Sequence, residues 1–244
     1  MQHLLRRKIT SVILILMICQ AGRAQEFEPN LPDHDSKLYH FGINLGFNQS
    51  HFNFSHHPQF LNPVLNDSIA VIESINNVGI NLAWLVNLNL SPHWDIRTYP
   101  LNLTFSEKAF EYTMTKFDAI AGESKLTLKK VQSITLSLPI LIKFSSDRIG
   151  NMKVFTTLGG RFDYDLASNS NKRNADELIK LRPYDYSIEG GLGFHIYFPY
   201  FVLSPELRVN WGLSNLHDRN PNLRFSSNID KVYARMISLS LTVE

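Results

Sequence analysis

Long apolar runs and cysteine are both scarce in this sequence. The chain has one cysteine among 244 residues, at position 19. No apolar run after Ile18 approaches the roughly 20 residues that a membrane-spanning helix needs, which excludes a helical membrane protein. Without a second cysteine no internal disulfide framework forms, and we expect neither thiol catalysis nor a thiolate metal site.

The first 24 residues predict a secretory signal peptide. A basic start at Arg6-Arg7-Lys8 precedes the apolar run Val12–Ile18, and Gly22-Arg23-Ala24 is a small-residue cleavage site. Cleavage near Ala24 also removes the cysteine. The alternative is a lipoprotein signal ending at Cys19, which bulky Ile18 opposes because a small residue normally precedes a lipidated cysteine.

An excess of positive charge is also missing once the signal is removed. The whole chain carries 24 Lys and Arg against 22 Asp and Glu, and residues 1–24 hold four of the basic side chains and no acidic one. The remaining balance is 20 basic against 22 acidic side chains. No basic patch suited to nucleic acid is left, so we expect no nucleic-acid partner.

Alternation of apolar and polar residues is the strongest pattern in the sequence. In Ser133–Leu166 one face carries residues such as Leu138 and Leu158, while the other carries Lys143, Arg161 and Asp163. A soluble sheet can alternate too, but it rarely repeats Arg, Asp and Gly inside long strands. The pattern is typical of a transmembrane barrel, with lipid outside and a polar lumen inside.

The same alternation predicts about eight strands, joined in turn by long and short connections. The long connections are predicted at Gln49–Asn77, Glu107–Lys130, Ala167–Pro183 and Ser214–Asp230. We therefore expect an all-β fold, an eight-stranded antiparallel transmembrane β-barrel of the outer membrane with short periplasmic turns and long external loops. The expected domains are a signal peptide (1–24), a loose periplasmic N-terminal segment (25–37) and the barrel (38–244).

Two local features refine this expectation. Near Pro100 the outward-facing residues change from one set of alternate positions to the other, and we expect a β-bulge there because proline disrupts a strand ladder.

Aromatic residues are expected as two girdles, Tyr39, Trp94, Phe198, Tyr200 and Phe201 at the short-turn end and Phe105, Tyr164, Tyr184 and Trp211 at the other. A lipocalin-like soluble barrel is the alternative fold, and it would keep its apolar side chains inside.

Inward-facing charges form the main candidate site. They are Asp95, Arg97, Lys143, Arg161, Asp163, Asp165, Glu189, Glu206 and Arg208. They suit either a proton or ion path or a structural network of paired charges that fills the lumen. We expect the structural network, because an eight-stranded barrel is just wide enough for side chains.

Histidines supply the other candidates. His51, His56 and His57 form a cluster that a metal site requires, but no strand fixes their geometry. His195 with nearby serines invites comparison with small lipid-modifying enzymes of the outer membrane, although its parity places it inside the barrel. We therefore expect no catalytic, cofactor-binding or metal-binding residues, no cofactor and no small-molecule substrate.

Three segments of the chain are distinctive beyond their alternation: SITLSLPILIKFSSDRIGNMKVFTTLGGRFDYDLAS, YDYSIEGGLGFHIYFPYFVLSPELRVNWGLSNL and LYHFGINLGFNQSHF. These segments resemble the PorT family, called SprT in gliding bacteria. They occur in the expected order and extend over nearly all of the chain after residue 37. One departure is Pro100-Leu101-Asn102, where the family pattern has Pro-Gly-Leu.

The resemblance implies a role in the type IX secretion system of the Bacteroidota, which exports proteases, adhesins and gliding proteins. Because the lumen is too narrow for a protein, the implied role is that of an accessory or assembly component. Expected partners are outer-membrane lipid and other components of that system. The alternatives are an adhesion or stability barrel unconnected with secretion, and a lipid-modifying enzyme.

Overall fold

A computed structural model describes residues 29–61, 69–115, 126–167, 181–218, 226 and 228–244. The predicted signal peptide, 1–24, lies outside these residues. The strands are β1 Tyr39–His56, β2 Ile69–Ile75, β3 Asn77–Asn89, β4 Trp94–Met114, β5 Leu126–Ser145, β6 Met152–Asp165, β7 Tyr184–Tyr197, β8 Val202–Gly212 and β9 Ile229–Val243. Two short 3-10 helices occupy His34–Ser36 and Pro58–Leu61. No helix in the described part of the chain is long and apolar enough to cross a membrane.

The strands close into a barrel. Hydrogen-bonded neighbours run in the order β4, β3, β1, β9, β8, β7, β6, β5, and β5 pairs back with β4. All of these pairings are antiparallel. β2 pairs with the far half of β4, and only Asn76 separates it from β3, so β2 and β3 act as one interrupted strand. The predicted eight-stranded antiparallel barrel is confirmed.

The bulge at Pro100 is present in β4. The pairing register with β5 shifts between Thr98 and Asn102. Pro100 and Leu101 are both exposed, whereas Tyr99 and Asn102 are both buried. Proline has no N–H for the ladder, so two consecutive residues face outward there and the inward phase changes from odd to even numbers.

The outside of the barrel is apolar over a continuous band. Ile43 and Leu158 expose 62% and 63% of their surface, and the outward residues of the other strands are similarly exposed. The predicted girdle residues all face outward at the strand ends or at the edges of this band. A lipocalin-like barrel would bury these residues, so the soluble alternative is wrong.

The strands extend further than the sequence analysis predicts at the long-loop end. β4 has 21 residues and β5 has 20, although about 9–11 suffice to cross a bilayer. Parts of the predicted loops Gln49–Asn77 and Glu107–Lys130 are therefore strand. Residues 62–68, 116–125, 168–180, 219–225 and 227 of the four predicted loops lie outside the described residues.

Facing polarity reverses in the outer extension of β4, where apolar side chains turn inward and polar ones outward. Along β4 the inward side chains change from Asn102, Thr104 and Ser106 to Phe110, Tyr112 and Met114, while the outward ones change from Phe105 to Glu107. The inward apolar residues pack into one cluster at this end, formed by Phe52, Ile69, Ile72, Phe110, Tyr112, Met114, Leu181, Leu216, Ile229 and Val232. The barrel is thus built for lipid in its band and for water beyond it.

Candidate functional site

Eight of the nine charges predicted to face inward are buried inside the barrel, and the ninth, Asp165, is half-buried at the end of β6. Each of the eight is at most 9% exposed, and together they form the lumen network: Asp95, Arg97, Lys143, Arg161, Asp163, Glu189, Glu206 and Arg208. Alternation along β4 to β8 places them there, since every second residue of a barrel strand faces inward. Buried charges are costly unless paired, so their partners decide what this lumen can do.

Glu189 lies at the centre of the network and binds two arginines. Arg161 Nη1 donates to Glu189 Oε2 at 3.0 Å, and Arg208 Nη1 donates to Glu189 Oε1 at 3.1 Å. Arg161 Nε also donates to Asp163 Oδ1 at 2.7 Å. Both carboxylate oxygens are therefore used, and the three strands β6, β7 and β8 are joined across the lumen.

Arg97 makes a second set of contacts nearer the short-turn end. Its guanidinium lies 3.6 Å from Glu206 and donates to Glu244 Oε1 at 3.3 Å. The same guanidinium stacks over the Phe155 ring at 4.8 Å from its centre. Arg97 is fully buried, and these contacts, with a hydrogen bond from Nε to Asn87 Oδ1 at 3.3 Å, replace part of its hydration.

Lys143, Asp95 and His195 form a third group. Lys143 Nζ lies 2.6 Å from Asp95 Oδ2 and 3.2 Å from His195 Nε2, while His195 Nδ1 lies 2.7 Å from Ser204 Oγ. An ammonium only donates, so His195 Nε2 accepts and its Nδ1–H donates to the serine. His195 therefore has no free lone pair to take the Ser204 proton, and this pair lacks the arrangement of a nucleophile and its base.

Buried aromatic side chains complete the filling of the lumen, and the sequence analysis did not single them out. Tyr99 donates to Glu206 Oε2 at 3.3 Å, with Arg208 over its ring at 4.8 Å. The Phe155 ring occupies the space over Gly193, where any side chain would meet it. Both residues occupy inward-facing positions in the alternation of β4 and β6, which is the sequence feature that predicts their burial.

Little space remains inside the described barrel. A void of about 60 Å³ lies in its outer half, bordered by Lys108, Asp163, Asp165 and Asp185, and another of about 20 Å³ lies near His195. A void of roughly 10–15 Å³ holds one water molecule, so these two hold a few waters at most. Neither offers the open path that conduction requires.

The described part of the N-terminal segment, residues 29–37, crosses the short-turn mouth of the barrel, contrary to the expectation of a loose lead-in. Arg148, in the turn between β5 and β6, donates to the carbonyl oxygens of Asn30 and Leu31 and stacks on Tyr197 at 3.7 Å from its ring centre. Asn30 in turn donates to the Tyr197 carbonyl at 3.0 Å. A short polar segment could not be predicted to fold back, because its partners come from distant turns.

Asp35 fastens the middle of this segment. Tyr197 Oη donates to Asp35 Oδ1 at 2.7 Å, and Lys153 Nζ lies 3.7 Å from Oδ2. Burial alone raises the pKa of Asp35, but the neighbouring His34, the hydrogen bond from Tyr197 and the charge of Lys153 outweigh it and hold this pKa well below its usual range. The carboxylate is therefore ionised when the segment is docked.

The loop histidines considered in the sequence analysis occupy different surroundings. His51 is half-buried in the extended part of β1, and His56 ends that strand against the Phe60 ring. In the described part of the chain, the grouping of ligand type is His34, His40 and Glu244, at the opposite end of the barrel.

Comparisons with known proteins bear on the barrel as a whole. Residues 23–218 match the family described as "Outer membrane protein beta-barrel domain". A comparison with curated protein sequences finds no match. The family match extends over well more than half of the chain.

Several solved structures are similar at low identity. The N-terminal β-barrel domain of Pseudomonas aeruginosa OprF is 10% identical, with 82% of this chain and 96% of that chain covered and a TM-score of 0.33. The outer membrane protein OprG of Pseudomonas aeruginosa is 8% identical, covering 83% and 92%, with a TM-score of 0.40. Ail, the attachment invasion locus protein of Yersinia pestis, is 12% identical, covering 83% and 96%, with a TM-score of 0.35.

Proposed function

The chain belongs to the outer membrane protein beta-barrel domain family and lies in the outer membrane, and from this premise we propose that it is a non-enzymatic accessory or assembly component of the type IX protein secretion system. The support for secretion is the resemblance to the PorT family over the three quoted segments. Barrel alternation is common to many families, whereas the ordered strings around Leu138-Pro139 and Ser204-Pro205-Glu206 are more specific.

The filled lumen limits how such a component works. Arg161, Arg208 and Glu189 occupy its centre, and the voids beside them hold a few waters at most. Neither a protein nor an extended peptide passes through this interior. A contribution to secretion therefore comes from the surfaces of the barrel.

The short-turn mouth is the surface that carries the proposal. In outer-membrane barrels this end faces the periplasm, which secretion machinery spans. A groove of about 590 Å³ lies there between the docked segment and the short turns, bordered by Pro32, Lys37, Leu90, Pro92, Asp147 and Arg148. It combines apolar and charged side chains, as protein contact surfaces do.

Deletion of the segment tests the proposal. We expect a strain without the whole barrel to lose type IX cargo from the cell surface. Removing Gln25–Lys37 behind an intact signal peptide should leave a folded barrel with heat-modifiable gel migration yet reduce cargo export. A sharper variant is Arg148→Ala, which releases the segment from the turn, with Lys231→Ala at the other end of the barrel as control.

The outcomes separate the possibilities. Normal export from a strain lacking the barrel would end the secretion proposal. Normal export from the segment deletion alone would move the contact to the external loops. The adhesion alternative is favoured by one observation, the strand extensions with a buried apolar cluster at the long-loop end. Loss of surface attachment with unchanged export would support it.

A lipid-modifying activity has weaker support. The pairing of Lys143 with His195 leaves that histidine unable to act as the base for Ser204. Both residues are also buried in the lumen, away from the lipid that such an enzyme would modify.

A further inference from the structure

We propose that His34, His40 and Glu244 bind a divalent transition-metal ion of the zinc type, which clamps the N-terminal segment onto the short-turn mouth. Each of the three offers a ligand atom, and these atoms lie within 4.8 Å of one another. His34 belongs to the segment, whereas His40 and Glu244 belong to barrel strand β1 and the end of β9. A shared ion would join the two parts, whatever role the barrel has in secretion.

The distance between the two imidazoles suits a shared ion. His34 Nε2 and His40 Nδ1 lie 3.3 Å apart, and the ring centres are 4.3 Å apart. Two nitrogen ligands bound at about 2.0–2.1 Å to a tetrahedral zinc ion lie about 3.3 Å from each other. The Glu244 carboxylate supplies the third ligand atom, within 4.8 Å of both nitrogens.

The contact between these two nitrogens needs a proton or a metal ion between them. His40 Nε2 lies 3.1 Å from the Lys37 carbonyl oxygen, which only accepts, so the neutral ring has its lone pair on Nδ1. That lone pair points at His34 Nε2. If His34 Nε2 carried the hydrogen, its Nδ1 lone pair would lie 3.9 Å from the Asp35 carboxylate, and the described residues give this buried nitrogen no hydrogen-bond partner.

In the opposite tautomer of His34, with the hydrogen on Nδ1 and directed at Asp35, the lone pairs of His34 Nε2 and His40 Nδ1 face each other. A metal ion bound to both nitrogens gives each lone pair a partner. A proton shared between the two nitrogens does the same, so the ion binds in competition with that proton. The Lys37 carbonyl and the Asp35 carboxylate then orient the rings as outer-shell groups commonly do at zinc sites.

The ligand set also indicates the metal class. Two imidazoles and one carboxylate suit zinc and neighbouring first-row metals, whereas magnesium and calcium prefer oxygen ligands alone. Glu244 is itself held by Arg97 at 3.3 Å, which leaves its second oxygen for the ion. Three protein ligands leave a fourth position for water.

Binding is tested on untagged protein folded in detergent and freed of metal with a chelator. Titration with Zn²⁺ at neutral pH should show one equivalent bound, and Co²⁺ should give the visible spectrum of imidazole ligation. His34→Gln and His40→Gln should each weaken binding by more than the roughly 10–100-fold typical of outer-shell changes. His93→Gln is the matched control, a histidine 43% exposed at the same mouth.

A second measurement follows the clamp itself. Lys37 is exposed at the end of the segment, so trypsin cleavage there reports whether the segment is docked. Zinc should slow cleavage in the parent protein and in His93→Gln, but not in His34→Gln or His40→Gln, all judged folded by heat-modifiable migration. Equal zinc binding by the parent and the His34→Gln, His40→Gln double variant would overturn the proposal. So would a loss of binding in His93→Gln as large as in the other two.

Discussion

Glu189 joins two of the three buried arginines of the lumen network. It lies on β7 and binds arginines from the neighbouring strands on both sides, Arg161 on β6 and Arg208 on β8. Alternation places all three inside the barrel, but the choice of partners follows from the pairing register of the closed sheet. That register is set by long-range strand pairing, which a single sequence does not reveal.

Glu189→Gln should destabilise the barrel strongly. Neutralising this side chain leaves two buried arginines without their shared carboxylate, and breaking a buried pair typically costs about 3–5 kcal/mol. Urea unfolding in lipid vesicles measures the change in the free energy of unfolding. Glu107→Gln is the matched control, because Glu107 pairs with Lys130 at the surface, where such pairs contribute about 0–1 kcal/mol. Equal effects of the two changes would contradict a buried network.

Arginine on the lipid face should be costly in a different way. Leu138, Leu158 and Leu192 face outward within the apolar band, and arginine at the bilayer midplane costs about 2–4 kcal/mol in such barrels. The same change at Asn53, exposed on the outer extension of β1, should have little effect on folding into vesicles. Indifference at all three leucines would contradict the register of the barrel.

The positions of the strands could be predicted from the sequence within the lipid-facing band, but their extensions beyond that band could not. The alternation of Tyr39–Asn48 predicts the first half of β1, which continues to His56. After Asn48 the apolar residues, Phe52 and Phe54, occupy the inward phase instead of the outward one. A search for outward apolar residues therefore ends the strand too early, although the alternation itself continues.

The outer apolar cluster should stabilise the strand extensions. Phe110 is fully buried there, stacked on Phe52 at 5.0 Å between ring centres and edge-on to Phe54 at 5.4 Å. Phe110→Ala should loosen the outer parts of β4 and β5 by about 3–5 kcal/mol, since a large cavity is left. Hydrogen exchange of these strands measures it, with Thr113→Ala as the control on the same strand. Unchanged exchange would argue against the cluster.

The docking of the N-terminal segment onto the barrel could not be predicted from the sequence. Residues 29–38 carry no strand or long-helix pattern, and their partners Arg148, Asn151 and Tyr197 lie more than 100 positions away in the sequence. Local rules therefore predict a polar lead-in. The fold-back depends on the barrel being closed, which brings the turns together.

The molecule as a whole is a filled barrel. Charged pairs, Tyr99 and Phe155 occupy the interior between its two ends. Purified protein in planar bilayers should therefore show no large, stable conductance, and removing Gln25–Lys37 should not create one, because the lumen network lies deeper than the segment. A conductance like that of a porin in the parent protein would contradict the packed lumen.

The reversal of facing polarity also fixes how deep the barrel lies in the membrane. Phe47, Ile80 and Phe105 are neighbours across three strands, and the next outward residues beyond Phe47 and Phe105 are Gln49 and Glu107. Sliding the barrel along the membrane normal in one direction would immerse these polar side chains in hydrocarbon, and sliding it in the other would expose apolar ones to water. The barrel therefore has one preferred depth in the membrane. Its short-turn mouth consequently lies at a fixed distance from the bilayer and from any partner anchored in the periplasm.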